Sequence, residues 1–485
     1  MQLKNILLSL AAAGAALALT SQQVIEEMGL GWNLGNTLES YGDWINGKTV
    51  QQFETAWGNP AATKQLIDSI KSNGFNSIRI PVAWSNLMSS DYTINKDLLT
   101  RVKEVVDWVV NDGMYAIINI HYDGGWIEQF GTSQSTAASQ KFNKIWTQVS
   151  SYFKDYDEHL IFESLNEEGC WNDVWNRYSN DGDKNKAYST LNTINQQFVD
   201  IVRNSGGKNA NRHLLIAGYC TDIDLTVDPA FKMPSDPSKK MMVSVHYYTP
   251  STFTILEKDE SWGKFAGTWG TDSEVNALIA DFDKLKKRFV DNGVPVIIGE
   301  YGTVLTNKDK DSVHKYLLTC AQYATSLGMC PMLWDNGDFF DRKNYKFKDS
   351  FLTDFYKTHG PLVTYDHSGS SASSGGNTAN SGNTGNTGNT ATATSDSCFS
   401  LPDYPCCKKT CDVYYTDDHL WGVEDGDWCG IPDSCSAQTQ NAVDDESCKS
   451  YPLYPCCKYC IVVTEEEGDR WGVENNQWCS IKNNC

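Results

Sequence analysis

Positive charge is in deficit in this 485-residue chain, where 40 Lys+Arg stand against 61 Asp+Glu for a net charge of -21. That balance opposes nucleic acid and anionic membrane as partners and leaves neutral ligands open. Long apolar runs are almost missing too. The one candidate, Ile6 to Leu19, is short for a membrane span, ends in the small-residue pattern Ala16-Leu17-Ala18, and is followed by Thr20-Ser21-Gln22-Gln23. Residues 1–18 therefore read as a secretory signal peptide, and the mature protein is expected outside the cell. Histidine is scarce, with 8 residues, and no D-x-[DN]-x-[DN]-G-x5-E calcium loop occurs, so no metal or other cofactor is expected. Finally, residues 368–397 (SGSSASSGGNTANSGNTGNTGNTATATSDS) contain no aromatic and no large aliphatic side chain. They cannot bury enough apolar surface to offset the entropy of ordering, which makes them a flexible linker.

Cysteine, by contrast, is plentiful, and its pattern divides the chain. In a secreted protein most of the 16 cysteines are expected as disulfides. After the linker, CFSLPDYPCC recurs as CKSYPLYPCC and WGVEDGDWC recurs as WGVENNQWC; Cys398/Cys448, Cys406/Cys456, Cys407/Cys457, Cys429/Cys479 and Cys435/Cys485 share one 50-residue offset, and only Cys411 and Cys460 slip by one. The repeat defines two modules, 398–435 and 448–485, joined by a short linker at 436–447. Modules of this size need cross-links because their cores are small. Six cysteines allow about fifteen pairings. Zinc is disfavoured by the adjacent Cys-Cys pairs, the scarcity of histidine and the oxidising compartment.

Residues 19–367 form the large domain. Eight runs read as buried strands: LGWNLGNT (30–37), FNSIRIPV (75–82), MYAIINIH (114–121), LIFESLNE (160–167), HLLIAGYC (213–220), MMVSVHYY (241–248), VPVIIGEY (294–301) and MCPMLWDN (329–336). Between several lie amphipathic stretches such as AATKQLIDSIKSNG and DLLTRVKEVVDWVVNDG, ending in Asn-Gly or Asp-Gly. Eight strands alternating with helices predict an α/β fold, a (β/α)8 TIM barrel. Chemistry in such barrels sits at the C-terminal strand ends. Those ends are unusually polar: Asn33 and Asn36, Arg79, His121, Asn166 and Glu167, His246 and Tyr248, Glu300, and Trp334 with Asp335. Glu167 and Glu300 close the fourth and seventh runs. Two carboxylates facing across a groove suit glycosidic-bond cleavage, one protonating the leaving oxygen while the other attacks the anomeric carbon or activates water. Glu163 is expected four residues deeper as a buried carboxylate needing a partner, and Glu168 begins a loop with no assigned chemistry.

The motifs GWNLGNTL, IRIPVAW, INIHYDGGW, FESLNEE, VHYYTP, IIGEYGT and LWDNG, in this order, resemble glycoside hydrolase family 5 cellulases, in particular the subgroup of broad-specificity β-glucanases and xyloglucanases. The resemblance covers residues 24–360. It implies Glu167 as general acid/base and Glu300 as nucleophile of a retaining double displacement. It also implies that Asn166 contacts a sugar 2-hydroxyl, Arg79 and Tyr248 keep the nucleophile ionised, His121 and His246 position sugar and carboxylates, and Trp334 lies beneath the sugar ring. The nucleophile should then have a low pKa and the acid a high one. Two positions depart from the family: Tyr122 replaces a common second His, and Glu168 stands where proline usually follows the acid. Further tryptophans after strand ends, Trp44, Trp126, Trp171, Trp175, Trp262 and Trp269, are either sugar platforms or loop packing; Trp126 and Trp171 are taken as platforms.

The paired Cys-rich modules resemble fungal dockerins through YPCC, Tyr-Thr-Asp at 415–417, WGVE and WC. That resemblance implies a scaffold-protein partner contacted by Tyr404, Asp417 and Trp421, with Tyr454 and Trp471 in the second copy. A carbohydrate-binding role is the competing reading. The expectation overall is a secreted endo-β-1,4-glucanase acting on β-glucan, with a xyloglucanase or mixed-linkage glucanase of the same mechanism as the rival.

Overall fold

The computed structural model describes residues 19–42, 44–45 and 49–358, and short stretches of the C-terminal modules between Cys406 and Ile481. The signal peptide and linker predicted for 1–18 and 368–397 lie outside the described residues. Eight parallel strands close in sequence order: β1 (Gly31–Leu34), β2 (Ser77–Ile80), β3 (Tyr115–Asn119), β4 (Leu160–Glu163), β5 (Leu214–Ala217), β6 (Met241–Tyr247), β7 (Val296–Tyr301) and β8 (Cys330–Asp335). β1 pairs with both β2 and β8, which completes the barrel. All eight predicted runs are present, each shorter than its apolar stretch.

The helices form where the sequence gives a start, a face and a stop. Thr63 caps Lys64–Ser72, which buries Leu66, Ile67 and Ile70 and ends at Asn73-Gly74. Gly74 has φ +95°, and a Cβ there would sit 1.9 Å from the Tyr356 carbonyl oxygen, so only glycine serves. Asn95 caps Lys96–Asn111 in the same way, with Leu98, Val102, Val105, Val106 and Val109 buried.

Inside the barrel, side chains change character from one end to the other. The helix Ser21–Met28 inserts Val24, Ile25 and Met28 against Ile117, Ile161, Leu215, Met242, Ile297 and Met332, forming an apolar floor separate from the larger helix–sheet core. Burying each such side chain contributes about 1.5–3 kcal/mol. Two residues further along the same strand faces, the layer turns polar: Ile161 gives way to Glu163, Met242 to Ser244 and Ile117 to Asn119. The apolar floor supports the chemistry from below.

The second compact unit is separate. It contains two three-stranded antiparallel sheets, one of Tyr415–Thr416, Leu420–Glu424 and Asp427–Gly430, the other of Thr464–Glu466, Asp469–Glu474 and Gln477–Ser480. The 50-residue repeat persists in the register, with Gly422 opposite Cys429 and Gly472 opposite Cys479. A disulfide joins Cys407 to Cys429. Trp421 and Trp471 occupy the middle strands; Tyr404, Asp417 and Tyr454 lie outside the described residues.

Candidate active site

Arg79, on β2 and completely buried, organises the polar layer. Its Nε donates to Glu163 (2.6 Å), one terminal nitrogen donates to Glu300 (2.8 Å) and Asn33 (3.1 Å), and the other donates to Asn166 (2.8 Å). Burial works against the guanidinium charge, but the Glu163 and Glu300 carboxylates outweigh it and raise the pKa further. A buried cation persists only when it is paired and hydrogen-bonded, and here each of the three guanidinium nitrogens has an acceptor. Glu163 is the partnered interior carboxylate expected, with Ser244 donating to its other oxygen at 2.8 Å. It belongs to the same hydrogen-bonded network as Glu300.

Glu300 ends up beside His246 through strand register. The β6–β7 ladder shifts at Val245/His246, so that His246 pairs with Glu300. Gly299 makes this approach possible, since a Cβ there would lie 2.7 Å from the Ser244 hydroxyl. The Tyr248 hydroxyl donates to Glu300 at 2.9 Å. His246 Nδ1 lies 2.9 Å from Glu167 and 3.6 Å from Glu300. One oxygen of each carboxylate and a His246 nitrogen all fall within 4.8 Å of one another.

One expectation about Glu167 needs correction: it does not terminate a strand. β4 stops at Glu163; the Ser164 N–H makes a last bond to the Leu215 carbonyl of β5, while its hydroxyl donates to Asn195 and accepts from the Ala217 N–H. Glu167 therefore rides on a loop, its side chain 51% exposed against 7% for Glu300. The expected ordering of acidities is also reversed. Burial is the largest influence on Glu300 and pushes its carboxyl up, against the opposing pull of His246 and Arg79. Burial pushes on Glu167 as well, but the hydrogen bond and charge of His246 overcome it and hold this carboxyl below its ordinary value. The reason is geometric: the imidazole leans toward Glu167.

Around the pair, His121 is buried and stacks flat on Trp334, with centroids 5.7 Å apart and planes 6° apart. Burial, reinforced by the Arg79 charge, holds its pKa well below the ordinary histidine value. Trp334 is half-buried, with a face fixed by this stack. Asn33 is structural, donating to the Gly299 carbonyl at 2.9 Å and accepting from Arg79. Asn36 occupies a left-handed turn (φ +53°) whose N–H donates to Glu39 and whose carbonyl accepts from Asn59.

Trp126 and Trp171, taken as platforms, are instead packed away at 7% and 6% exposure. The Trp126 indole donates to Asp123 at 2.7 Å, and its ring packs on Phe130 and under Lys141. Trp171 lies against Gly131. Trp175 and Trp269 are buried as well. Exposed aromatics among the described residues include Trp44, Trp262, Tyr122 and Tyr178, with Tyr122 edge-on to Tyr41. An aromatic in a loop carries the same letter whether it faces water or core, so sequence could not separate these.

Asp335 was legible as a polar strand end, but Arg342, whose charge faces both Asp335 and Glu39, was not. Asp335 accepts from Trp32, Gly337 and Phe339, while Arg342 donates to the Asp335 carbonyl and to Thr37. Glu39, fully buried beneath this loop, has its carboxyl pushed up to about 7 by burial. Glu168 is likewise pushed up to about 8, by burial and then by the charges of Glu128 and Glu167. Cys170 is bonded to Cys220, whereas Cys320 and Cys330 are free and buried. Among the described residues, Glu167, His246 and Glu300 are the group whose donor atoms lie close enough to hold a cation; the Arg79 guanidinium, 2.8 Å from Glu300, competes for the same charge.

A buried carboxylate, a second carboxylate across from it and a stacked tryptophan form an arrangement that glycosidic-bond cleavage can use. Comparison with known proteins agrees. Residues 38–340 match the model of the cellulase family, glycosyl hydrolase family 5, and residues 397–431 and 447–481 each match a cellulose- or protein-binding domain. The chain is 36% identical over 441 residues to endoglucanase B of Neocallimastix patriciarum, covering 89% of both proteins. Among solved structures, a broad-specificity endoglucanase from an uncultured bovine rumen ciliate superposes with TM-score 0.65 at 37% identity, covering 72% of this chain and 99% of that one. A lichenase from Caldicellulosiruptor sp. F32, solved with cellotetraose, gives 0.66 at 33% identity, covering 70% and 96%. The chain belongs to the cellulase family of glycoside hydrolases, glycosyl hydrolase family 5.

Proposed function

We propose that this protein is a secreted, retaining endo-β-1,4-glucanase of cellulose and related β-glucans, held on a scaffold protein by its two C-terminal modules. The carrying observation is the placement of Glu167 and Glu300, with carboxylate oxygens within 4.8 Å. That spacing supports double displacement, where the carboxyl groups lie about 5–5.5 Å apart, over inversion, where they lie about 6.5–9.5 Å apart. Glu300 attacks the anomeric carbon while Glu167 protonates the departing oxygen; Glu167 then deprotonates the water that releases the sugar. Arg79 and the Tyr248 hydroxyl stabilise the Glu300 carboxylate. Trp334, backed by His121, offers a flat face to the C–H side of a sugar ring.

The broad-specificity and lichenase relatives support a second substrate reading, mixed-linkage glucan or xyloglucan, by the same mechanism. A panel of cellulose, carboxymethylcellulose, barley glucan and xyloglucan, scored by rate and product anomer, tests both. Internal cleavage of β-1,4-linked glucans with β-configured first products is expected; activity on none of them would reject the reading. The scaffold assignment rests on tandem modules, which gain avidity when both engage. Binding of the full chain to insoluble cellulose after Glu167→Ala, with no binding to scaffold protein, would reverse it.

A further inference from the structure

The loop bearing Glu167 is cross-linked to the neighbouring barrel loop three residues beyond the carboxylate. Cys170 and Cys220 form a disulfide with Cα atoms 5.6 Å apart, joining the segments after β4 and β5. The Cys220 N–H donates to the Glu168 carbonyl at 2.8 Å, so one residue of the β5 loop grips the β4 loop twice. Between these grips Gly169 adopts φ +119°, and a Cβ there would meet the Tyr219 ring at 3.3 Å. Cys220 and Thr221 themselves hold positive φ values of 52° and 48°, a conformation that persists only where surroundings enforce it. The Glu167 side chain has one hydrogen bond, to His246. Proline, usual after the acid in family members, would fix φ at position 168. Glu168 cannot, and the cross-link supplies a restraint two residues on.

We propose that the Cys170–Cys220 disulfide is a positioning element for Glu167, setting the efficiency of proton transfer far more than the reactivity of Glu300. This rests on the reading of Glu167 as acid/base. Glu300 stands on β7, within its strand, and is held by Arg79 and the Tyr248 hydroxyl; the β4 loop reaches that half through Asn166 on Arg79 and through His246, which faces both carboxylates. Freeing the loop should therefore damage Glu167 far more than Glu300.

The test is full-length protein carrying Cys170→Ser and Cys220→Ser, with the module cysteines unchanged, assayed on aryl β-cellobiosides of graded leaving-group acidity. A misplaced acid penalises poor leaving groups, which need the proton, and spares dinitrophenolate, which does not. A loss of about 10–100-fold is expected on phenyl cellobioside and β-glucan, within the range that a displaced general acid costs. Less than about threefold is expected in the burst rate on the dinitrophenyl substrate, with azide accelerating turnover. Burst amplitude counts folded sites, so partial unfolding is normalised away. Should the variant not accumulate, reduced and alkylated wild-type, with Cys170 modification verified by peptide mass, takes its place. An equal loss across all leaving groups, or no loss on any, overturns the proposal. α-Configured products from the wild-type would instead overturn the acid/base reading itself, a separate outcome.

Discussion

Replacing Glu163 by Gln separates a structural carboxylate from one that tunes the reaction. Arg79 carries one positive charge and is shared by two buried carboxylates, Glu163 at 2.6 Å and Glu300 at 2.8 Å. Gln retains an oxygen to accept from Arg79 Nε and an amide to face Ser244, so the hydrogen-bond pattern survives while the charge disappears. The loss of charge assistance at two bonds costs about 1–3 kcal/mol of stability, less than the about 3–5 kcal/mol expected from Glu163→Ala, which strands part of a buried guanidinium. The electrostatic consequence has a definite sign. With Glu163 neutral, Arg79 pairs with Glu300 alone and a neighbouring negative charge is gone, so the ionised form of Glu300 is favoured and its raised pKa falls. Charges this close interact by a few kcal/mol at an effective dielectric of about 20, enough to move a pKa by about one unit or more. The acid limb of kcat/KM against pH, measured on a soluble aryl cellobioside, should shift down by about one unit, with denaturant unfolding reporting the stability cost. An acid limb that stays put or moves up in a folded variant would refute the shared-guanidinium argument.

Tyr248→Phe makes the complementary change: it removes a donor from the Glu300 carboxylate, so the acid limb should move up and kcat/KM fall about 10–100-fold, read from the same profile. Glu39 affects stability. Its folded pKa of about 7 lies above the ordinary carboxyl value, so the unfolded chain releases this proton near pH 4.5 and the native state retains it until about pH 7. Its contribution to stability is thus lost as pH rises through that window, on the order of 3 kcal/mol in all; in Glu39→Gln, chemical denaturation across pH 4–8 should lose that decline. Trp126→Ala and Trp171→Ala should each cost about 3–5 kcal/mol of stability as core truncations. Trp44→Ala and Trp262→Ala should leave stability within about 0.5 kcal/mol and weaken long oligosaccharides more than short ones, as a chain-length series of KM values would register.

The barrel was legible because its strands are short apolar runs and several of its helices carry their own cap and stop. Thr63 with Asn73-Gly74 shows this at one helix. Glu300 was legible as a carboxylate near a strand end and Glu163 as an interior one, whereas Glu167 was found but placed on the strand instead of the loop after it. What period-two alternation could not reveal was where β4 ends: the sequence LIFESLNE continues the pattern to Glu167, but Ser164 bonds Asn195 and the chain turns away. Nor could it reveal that His246 leans toward Glu167, because a register shift between β6 and β7 decides that placement. Buried and exposed tryptophans were indistinguishable for a related reason, as loop conformation has no period. The Cys170–Cys220 pairing depends on two loops meeting across adjacent strands, and spacing along the chain does not encode that meeting.

The central claim is that Glu300 forms a covalent bond to the sugar while Glu167 handles the proton. Inactivation with a 2-deoxy-2-fluoro β-cellobioside bearing dinitrophenolate, followed by peptide mass mapping, tests it directly. The account predicts time-dependent loss of activity with one fluorocellobiosyl group on the peptide containing Glu300. A label on the Glu167 peptide, or turnover with no covalent adduct together with α-configured products, would contradict it.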